Sequence, residues 1–344
     1  MLLVKATIGA RWERRSMVSN PDDHKLSDFQ RSDDAGPFSK SIIGKISHRN
    51  IVGLGKFLGA AAHLLDVPHR RIVRRNLQFT HPDWTRKKID QLARRVFQNL
   101  GISFLETFQM AALSREQVLG RVRVVGLENL QDALKSRNGL IIVSAHLGNW
   151  ETGLLFFCCY IQKPILGVAK KIRLALLNRW VHRLRSRFGI KIVYKKGALP
   201  EMRQMLRRGG VIGLLVDQSR RSEGVDVNFF GHRVTATPAA AFLAIRCQSP
   251  VLPLFCVHDD SGRLTVVVKS PLEMERTGDL RSDVQTNTQR ITDVVEKAVR
   301  QYPDQWFWVH KRWKKYYPDL YPEYQARRKR RHEKKRASQP DTGE

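Results

Sequence analysis

GLIIVSAHLGNWE, at residues 139–151, is the stretch that says most about the fold of this chain of 344 residues. Its first six residues predict a buried strand, because a short aliphatic run is typical of the interior of a parallel sheet. A helical pattern begins near Asn149, which is a suitable N-cap, and Gly148 permits a tight turn before it. The stretch therefore predicts a strand joined directly to a helix. His146 would lie at the carboxyl end of that strand, where ligands bind in α/β sheets.

Strands and helices keep alternating on the C-terminal side of this stretch. The alternation predicts a layered α/β fold with a largely parallel central sheet. Further strands are predicted at 165–168, 190–194, 211–216, 251–257 and 264–269. Helices are predicted at 149–161, 172–188, 199–208, 237–247 and 281–301.

The residues before 121 have a different pattern. Apolar residues three or four positions apart predict N-terminal helices at 70–77, 86–97 and 100–111. The whole chain is expected to comprise a disordered tail at 1–38, an N-terminal helical, membrane-associating region at 39–120, an α/β domain at 121–318 and a basic C-terminal tail at 319–344. Residues 1–38 show no hydrophobic segment followed by a small-residue cleavage site, so secretion is not expected. Met17 is an alternative start to Met1.

The chain is strongly basic. Sixty-one Lys and Arg residues stand against 32 Asp and Glu residues, which gives a net charge of +29. Such an excess predicts a polyanionic partner: nucleic acid, an anionic bilayer or an acidic substrate. The run RRKRRHEKKR at 327–336 fits a nucleic-acid tail and a tether to anionic headgroups equally well.

The most apolar segment is IVGLGKFLGAAAHLLDV, at residues 51–67. It is too short to be a clear spanning helix, and Lys56 and His63 interrupt it. Two interpretations remain open. The segment is either a monotopic helix that lies in a membrane interface or an ordinary helix packed on the domain.

Several classes of protein are disfavoured by missing motifs. The four cysteines, at 158, 159, 247 and 256, form no CxxC pair and lack histidines at zinc spacing. Neither a Walker A motif, nor a Gly-x-Ser-x-Gly elbow, nor an HExxH motif occurs. No metal or cofactor is expected, and the free cysteines fit a reducing compartment that faces the cytoplasm.

His146 and Glu151 form a candidate general-base pair. A histidine with an ordinary pKa of about 6.5 can accept a hydroxyl proton at neutral pH. It does so better when a carboxylate fixes its tautomer and stabilises the imidazolium that forms. Glu151 falls in the first turn of the predicted helix, from where it can reach back toward the loop. The alternative is structural, with a histidine that caps a turn and a glutamate that begins a helix.

Four ordered blocks give the chain a specific resemblance. AHLGNWE at 145–151 contains an H-x4-E pattern, and it is followed by LVDQ at 215–218, VNFFGHRVTAT at 227–237 and PDQWFWVHKRW at 303–313. Together they resemble the lauroyl/myristoyl acyltransferases of lipid A biosynthesis, over roughly residues 45–318. Asn76 and Glu106 also fall where that family has an Asn and a Glu. The Pro-Glu-Gly motif of lysophosphatidate-type acyltransferases is absent, which favours the lipid A branch.

The resemblance implies a glycerolipid-acyltransferase-like fold and an O-acyltransferase of lipopolysaccharide biosynthesis. The donor would be an acyl carrier protein thioester or acyl-CoA, and the acceptor a hydroxyl of an anionic glycolipid, the lipid A precursor. The enzyme would be peripheral or monotopic on the cytoplasmic face of the inner membrane, without a specific nucleic acid. Two alternatives stay open: an acyltransferase of the same fold that acts on another glycolipid or aminolipid, and a basic nucleic-acid-binding protein.

The resemblance also implies roles for individual residues. His146 would deprotonate the acceptor hydroxyl with support from Glu151, and backbone amides at the Gly148–Asn149 turn or an arginine would bind the oxyanion. Oxyanion or acceptor binding is assigned to Arg185, Arg187, Asp217 and Gln218. The substrate or acyl groove is assigned to Asn149, Phe229, Phe230 and Gly231. Structural alternatives stay open: exposed arginines on a basic helix, Asp217 as an N-cap, and the two phenylalanines as anchors of their loop.

Overall fold

The computed structural model describes residues 42–161, 163–169, 179, 185, 188–194, 197–219 and 224–326. The predicted tail at 1–38, most of the predicted helix at 172–188 and the basic run at 327–336 lie outside these residues. The helices are α1 (Ile42–Lys45), α2 (His48–Leu65), α3 (Val67–Thr80), α4 (Arg86–Ala111), α5 (Arg115–Arg121), α6 (Leu127–Leu134), α7 (Trp150–Tyr160), α8 (Ala198–Arg207), α9 (Ala239–Cys247) and α10 (Leu280–Gln301). The strands are β1 (Arg123–Val125), β2 (Leu140–Ser144), β3 (Ile165–Ala169), β4 (Ile190–Tyr194), β5 (Val211–Leu215), β6 (Val225–Phe229), β7 (His232–Ala236), β8 (Val251–His258) and β9 (Leu264–Val268).

A seven-stranded sheet forms the centre of the described chain, in the order β1-β9-β8-β2-β5-β3-β4. Its neighbouring strands run parallel, except for β8 and β9, which are antiparallel. The predicted α/β fold with a largely parallel central sheet is therefore confirmed. Each predicted strand is present, with ends that differ by at most one residue. The sequence missed the short edge strand β1 and the separate hairpin of β6 and β7.

Strand β2 shows why the sheet is buried on both faces. Its side chains alternate, so Ile141 and Val143 pack in one apolar cluster while Leu140 and Ile142 pack in another. Helices α8, α9 and α10 contribute to the first cluster, and helices α5, α6 and α7 contribute to the second. Burial on both faces explains why β2 is an unbroken aliphatic run and not an alternating one.

Helices α2 and α4 pack closely because glycines line their contact. A Cβ on Gly59 would lie 2.3 Å from the carbonyl oxygen of Phe97, and one on Gly101 would lie 2.3 Å from that of Gly55. The helices predicted separately at 86–97 and 100–111 are one helix of 26 residues. Gly101, inside this helix, allows the close approach of α2.

Helix α2 carries most of the apolar segment, and Asp66 separates it from α3. Among the described helices, none is alone long and apolar enough to span a membrane. Helices α2 and α3 meet that test only as a pair, and they are bent by 93°. One side of α2 packs on α4, and the other side exposes a set of apolar residues: Leu54, Phe57, Leu58, Leu64 and Leu65. We call this set the apolar face of α2.

The chain remains packed beyond the expected domain end at 318. Tyr321 is fully buried, and its hydroxyl donates to Oδ1 of Asn76 over 2.6 Å. Glu323 pairs with Arg75 over 2.9 Å. Tyr321 and Glu323, which follow the expected boundary at 318, therefore contact α3.

Candidate active site

Two neighbouring parallel strands bring the candidate base and a carboxylate together. Strands β2 and β5 pair in register, with Ser144 opposite Leu215. Two residues beyond this pair, His146 and Asp217 lie side by side at the carboxyl edge of the sheet. Nδ1 of His146 is 2.7 Å from Oδ1 of Asp217. The strand register therefore joins residues that are 71 positions apart in sequence.

Asp217 is buried and fixes His146 through the backbone as well as the ring. Its Oδ2 accepts from the backbone N–H of His146 over 3.0 Å and from the indole N–H of Trp306 over 2.9 Å. Burial raises the pKa of Asp217, but the charge of His146 and these hydrogen bonds outweigh burial and hold the pKa well below its usual range. The carboxylate is therefore ionised, and Nδ1–H of His146 donates to it.

Because Nδ1 carries the proton, Nε2 is the nitrogen of His146 that can act as a base. The side-chain amide nitrogen of Gln218 lies 3.2 Å from it. The ring of Trp150 meets the imidazole edge to face at a centroid distance of 5.1 Å, and the ring of Phe307 lies 6.0 Å away. Aromatic rings and one amide thus surround the side chain of His146, which is 18% exposed.

The turn after His146 is held by backbone hydrogen bonds. The N–H of Gly148 donates to the carbonyl of Gln305 over 2.9 Å, and that of Asn149 donates to the carbonyl of Cys256 over 2.8 Å. Gly148 has a φ of 59°, and a Cβ there would lie 2.1 Å from the Cys256 oxygen, so glycine is required. The sequence predicts these two amides as oxyanion donors. Both N–H groups are bonded to carbonyls in this structure, which leaves open the alternative assignment of the oxyanion to an arginine.

Glu151, which is predicted to support His146, contacts Arg185 instead. The carboxylate on Nδ1 of His146 is that of Asp217, whereas Oε1 of Glu151 accepts from Nη2 of Arg185 over 2.6 Å. The Glu151 and Arg185 side chains are 25% and 16% exposed. The physical reason is the strand register, which brings Asp217 to the imidazole. Arg187, which the sequence pairs with Arg185 in anion binding, lies outside the described residues.

Phe229 and Phe230, predicted to line an acyl groove, lie in the core, 1% and 5% exposed. Phe229 packs against Trp306 and Phe230 against Trp308, with ring centroids 5.5 and 5.9 Å apart. Gly231 completes the two-residue turn between β6 and β7, in which Phe230 and Gly231 both have positive φ. The packing supports the alternative in which the aromatic pair anchors this hairpin.

Asn149, also assigned to the groove, is the N-cap of α7. Its Oδ1 accepts from the backbone N–H of Thr152 over 3.1 Å, and the residue is 1% exposed. The predicted cap is therefore present, and the assignment of Asn149 to the groove stays a prediction.

Asp217 acts electrostatically on two further side chains of the C-terminal block. Arg312 is buried, and Nη1 donates to the carbonyl of Thr235 over 2.8 Å. Burial lowers the pKa of Arg312 to about 10, against the opposing charge of Asp217, so the guanidinium remains charged at neutral pH. Burial also lowers the pKa of His310 to about 3, and its neutral ring accepts from the backbone N–H of Ser219 over 3.4 Å. Arg312 thus balances the buried carboxylate.

Sequence reasoning missed the roles of Trp306 and His258. The indole N–H of the buried Trp306 needs an acceptor, and Asp217 at a strand end provides one. His258 ends strand β8, the other neighbour of β2, and its position at that carboxyl edge is the signal that could have identified it. Within the described ranges, no cluster of three His, Cys, Asp or Glu side chains is arranged to hold a metal ion.

Comparison with known proteins gives matches along most of the chain. The family described as bacterial lipid A biosynthesis acyltransferase matches residues 35–315. The lipid A biosynthesis lauroyltransferase of Escherichia coli (strain K12) is 24% identical, over 79% of this chain and 88% of that protein. The lipid A biosynthesis myristoyltransferase of the same strain is also 24% identical, over 78% and 84%. The phosphatidylinositol mannoside acyltransferase of Mycolicibacterium smegmatis is 23% identical, over 69% and 76%.

Proposed function

Since this chain belongs to the bacterial lipid A biosynthesis acyltransferase family and is an acyltransferase, we propose that it acylates a hydroxyl of a lipid A precursor. The proposed donor is the thioester of an acyl carrier, either acyl carrier protein or coenzyme A. One observation carries the proposal. At the carboxyl edge of two parallel strands, His146 is held on Nδ1 by an ionised carboxylate 2.7 Å away.

His146 acts as general base in the proposed reaction. Its Nε2 takes the proton of the acceptor hydroxyl while the oxygen attacks the thioester carbonyl carbon. Asp217 stabilises the imidazolium that forms, as the carboxylate does in a Ser-His-Asp triad. When the tetrahedral intermediate collapses, the C–S bond breaks and the imidazolium returns its proton to the thiolate. The acceptor leaves as an ester and the carrier as a thiol.

Side chains supply the oxyanion donors in this proposal, because the Gly148 and Asn149 amides are bonded elsewhere. Gln218 is one candidate, since its amide nitrogen lies 3.2 Å from the reacting nitrogen of His146. Arriving acceptor would take the place of that amide at Nε2, and the amide could then donate to the oxyanion. Arg185 and Arg187 remain candidates for binding anionic groups of either substrate.

A second acceptor class has its own support. The similar Mycolicibacterium smegmatis protein is named for phosphatidylinositol mannoside, a different glycolipid. Both acceptors carry phosphate, which a chain of net charge +29 would attract. The lipid A precursor is favoured because two of the relatives described above are named for lipid A biosynthesis.

The proposed location is the cytoplasmic face of the inner membrane, in peripheral or monotopic association. The apolar face of α2 supports it, with Phe57 68% and Leu65 82% exposed. Apolar side chains of this size on one exposed helix face are typical of an interfacial helix. Basic residues of the chain would add attraction to anionic headgroups.

Purified full-length protein in detergent micelles tests the proposal. A lipid A precursor and a phosphatidylinositol mannoside are each offered as acceptor with an acyl carrier protein thioester and with acyl-CoA, and mass spectrometry detects the acylated product. His146→Ala should slow transfer by about 100- to 10,000-fold, because the general base is lost. The circular dichroism spectrum should not change. Retention of more than a tenth of the wild-type rate would contradict the role of His146, and acylation of the mannoside alone would favour the second acceptor.

A further inference from the structure

Glu106 is a buried carboxylate that the proposed reaction does not use. It lies on α4 and is 0% exposed. Its Oε2 accepts from the side-chain amide of Asn149 over 3.0 Å, and both carboxylate oxygens lie 2.9 Å from Nε2 of His258. A carboxyl group at this depth needs hydrogen-bonding partners for its oxygens. Its partners come from the catalytic turn and from the end of strand β8.

One face of helix α4 holds the turn that carries His146. Ser103, Glu106 and Thr107 are spaced three and four residues apart, so they share a face of the helix. Oγ of Ser103 donates to the carbonyl of Gly148 over 3.3 Å, and Oγ1 of Thr107 donates to Oδ1 of Asn149 over 3.2 Å. Glu106 is the acidic member of this set, and its carboxyl group accepts the shorter of the two hydrogen bonds from the Asn149 amide; the other goes to the carbonyl of Ser103 over 3.4 Å.

The opposite side of the same turn is fixed by His258 and Gln305. The side chain of Gln305 donates to the carbonyl of His258 over 2.8 Å and accepts from its N–H over 2.9 Å. The carbonyl of Gln305 accepts from Gly148, as described above, and the N–H of Phe307 donates to the carbonyl of His146 over 2.9 Å. Glu106 therefore bonds to Asn149, which lies in the turn, and to His258, which is in turn bonded to Gln305.

We infer that Glu106 is a positioning residue, whose carboxylate holds Asn149 and His258 and thereby keeps the turn at 146–149 in the geometry that catalysis needs. The kinetic part of this inference rests on the proposed function. A displacement of about 1 Å in a reacting group can lower a rate about 100-fold, so the support of His146 has a measurable effect.

A swap of the two side chains tests the contact. Asn149→Asp keeps the cap of α7 but places a second carboxylate against Glu106, so kcat at neutral pH should fall about 100-fold. Adding Glu106→Gln to Asn149→Asp restores an amide opposite a carboxylate, and kcat should return to within about tenfold of wild type.

A second pair of variants covers the case in which Asn149→Asp does not fold. Glu106→Leu removes both contacts and should lower kcat by about 10- to 100-fold with little change in KM. Glu106→Gln can still accept from Asn149, so its loss should be several-fold smaller. Asp283→Asn is the matched control, because Asp283 is also a buried carboxylate, but its partners are Thr277 and Gly278. This control should lower stability while kcat stays close to the wild-type value.

Hydrogen exchange at residues 146–153 supplies a readout that needs no substrate. The amides of Gly148, Asn149 and Thr152 should exchange faster in Glu106→Leu and Asn149→Asp, and should regain protection in the double variant. Unchanged exchange and kcat in both single variants, or a double variant no better than Asn149→Asp, would overturn the inference. If the wild type transfers no acyl chain, the proposed function fails, and the exchange data still decide whether Glu106 holds the turn.

Discussion

Asp217 receives three hydrogen bonds, and their arrangement sets the tautomer of His146. Oδ2 accepts hydrogen bonds from the backbone N–H of His146 and from the indole N–H of Trp306, two groups that can only donate. Oδ1 is left to accept from Nδ1. The proton is thereby kept on Nδ1, so Nε2 presents a lone pair to the acceptor hydroxyl.

Asp217→Asn should therefore slow transfer by about 1,000- to 10,000-fold while the fold is retained. Its single oxygen would still be needed by the backbone of His146 and by Trp306, so its amide would face Nδ1. That amide donates, so the imidazole proton would move to Nε2, where it blocks the base. The measurement is kcat over a pH range, with thermal unfolding as the control for stability.

Glu151 provides the matched comparison. Glu151→Gln should act through Arg185, so Glu151→Gln, Arg185→Gln and the double variant should all lose about the same activity. In contrast, the losses of activity caused by Glu151→Gln and by Asp217→Asn should add as free energies in the double variant. An Asp217→Asn variant that keeps its rate, beside a Glu151→Gln variant as inactive as His146→Ala, would return the supporting role to Glu151.

The same pair of carboxylates shows how far the sequence could predict the site. His146 was identified because the strand and its end are local features of the chain. Glu151 is five residues away and is therefore the partner that the local sequence predicts, while Asp217 is assigned to oxyanion or acceptor binding. The choice between them depends on β2 pairing with β5, and that register is a tertiary fact which no local pattern contains.

Among the helices and strands, those marked by a repeating pattern of buried residues could be predicted from the sequence. Those that depend on a contact with a distant part of the chain could not. The aliphatic runs of the strands follow from burial on both faces, so their bounds were predicted to within one residue. The break predicted between residues 97 and 100 is absent, and Gly101 within the continuous helix admits the backbone of α2. The hairpin of β6 and β7 was interpreted as a loop, because Phe230 has a positive φ that its residue type does not suggest.

The glycine contact between α2 and α4 can be tested with a control on the same helix. Gly59→Ala should lower the free energy of unfolding by about 1–3 kcal/mol, because its Cβ would meet backbone atoms of α4 and force the helices apart. Gly53→Ala, on the exposed side of α2, has nothing within 4 Å and should stabilise the helix by up to about 1 kcal/mol. Chemical denaturation in detergent measures both. Equal effects of the two substitutions would show that α2 does not need the close approach.

At the scale of the whole molecule, two features favour a membrane surface, and they differ in their response to salt. The apolar face of α2 contributes burial of apolar area, which salt does not screen. The run at 327–336 holds eight Lys and Arg residues against one Glu, and its attraction to anionic headgroups weakens as ionic strength rises. Stable attachment generally needs two such signals, so removing either one should be visible.

Vesicle flotation at low and high salt separates the two contributions. Deletion of 327–344 should weaken binding to anionic vesicles at low salt, by up to about 1 kcal/mol per basic residue near the surface, and should make the remaining binding less dependent on salt. Phe57→Asp with Leu65→Asp should abolish the binding that survives high salt, because both side chains belong to the apolar face of α2. Val125→Asp is the control, since Val125 is an exposed apolar residue of strand β1 and is 44% exposed. If the Phe57→Asp, Leu65→Asp protein floats as the wild type does at high salt, α2 is not the membrane contact. If the wild type stays in the soluble fraction with anionic vesicles at low salt, attachment to the membrane surface is ruled out.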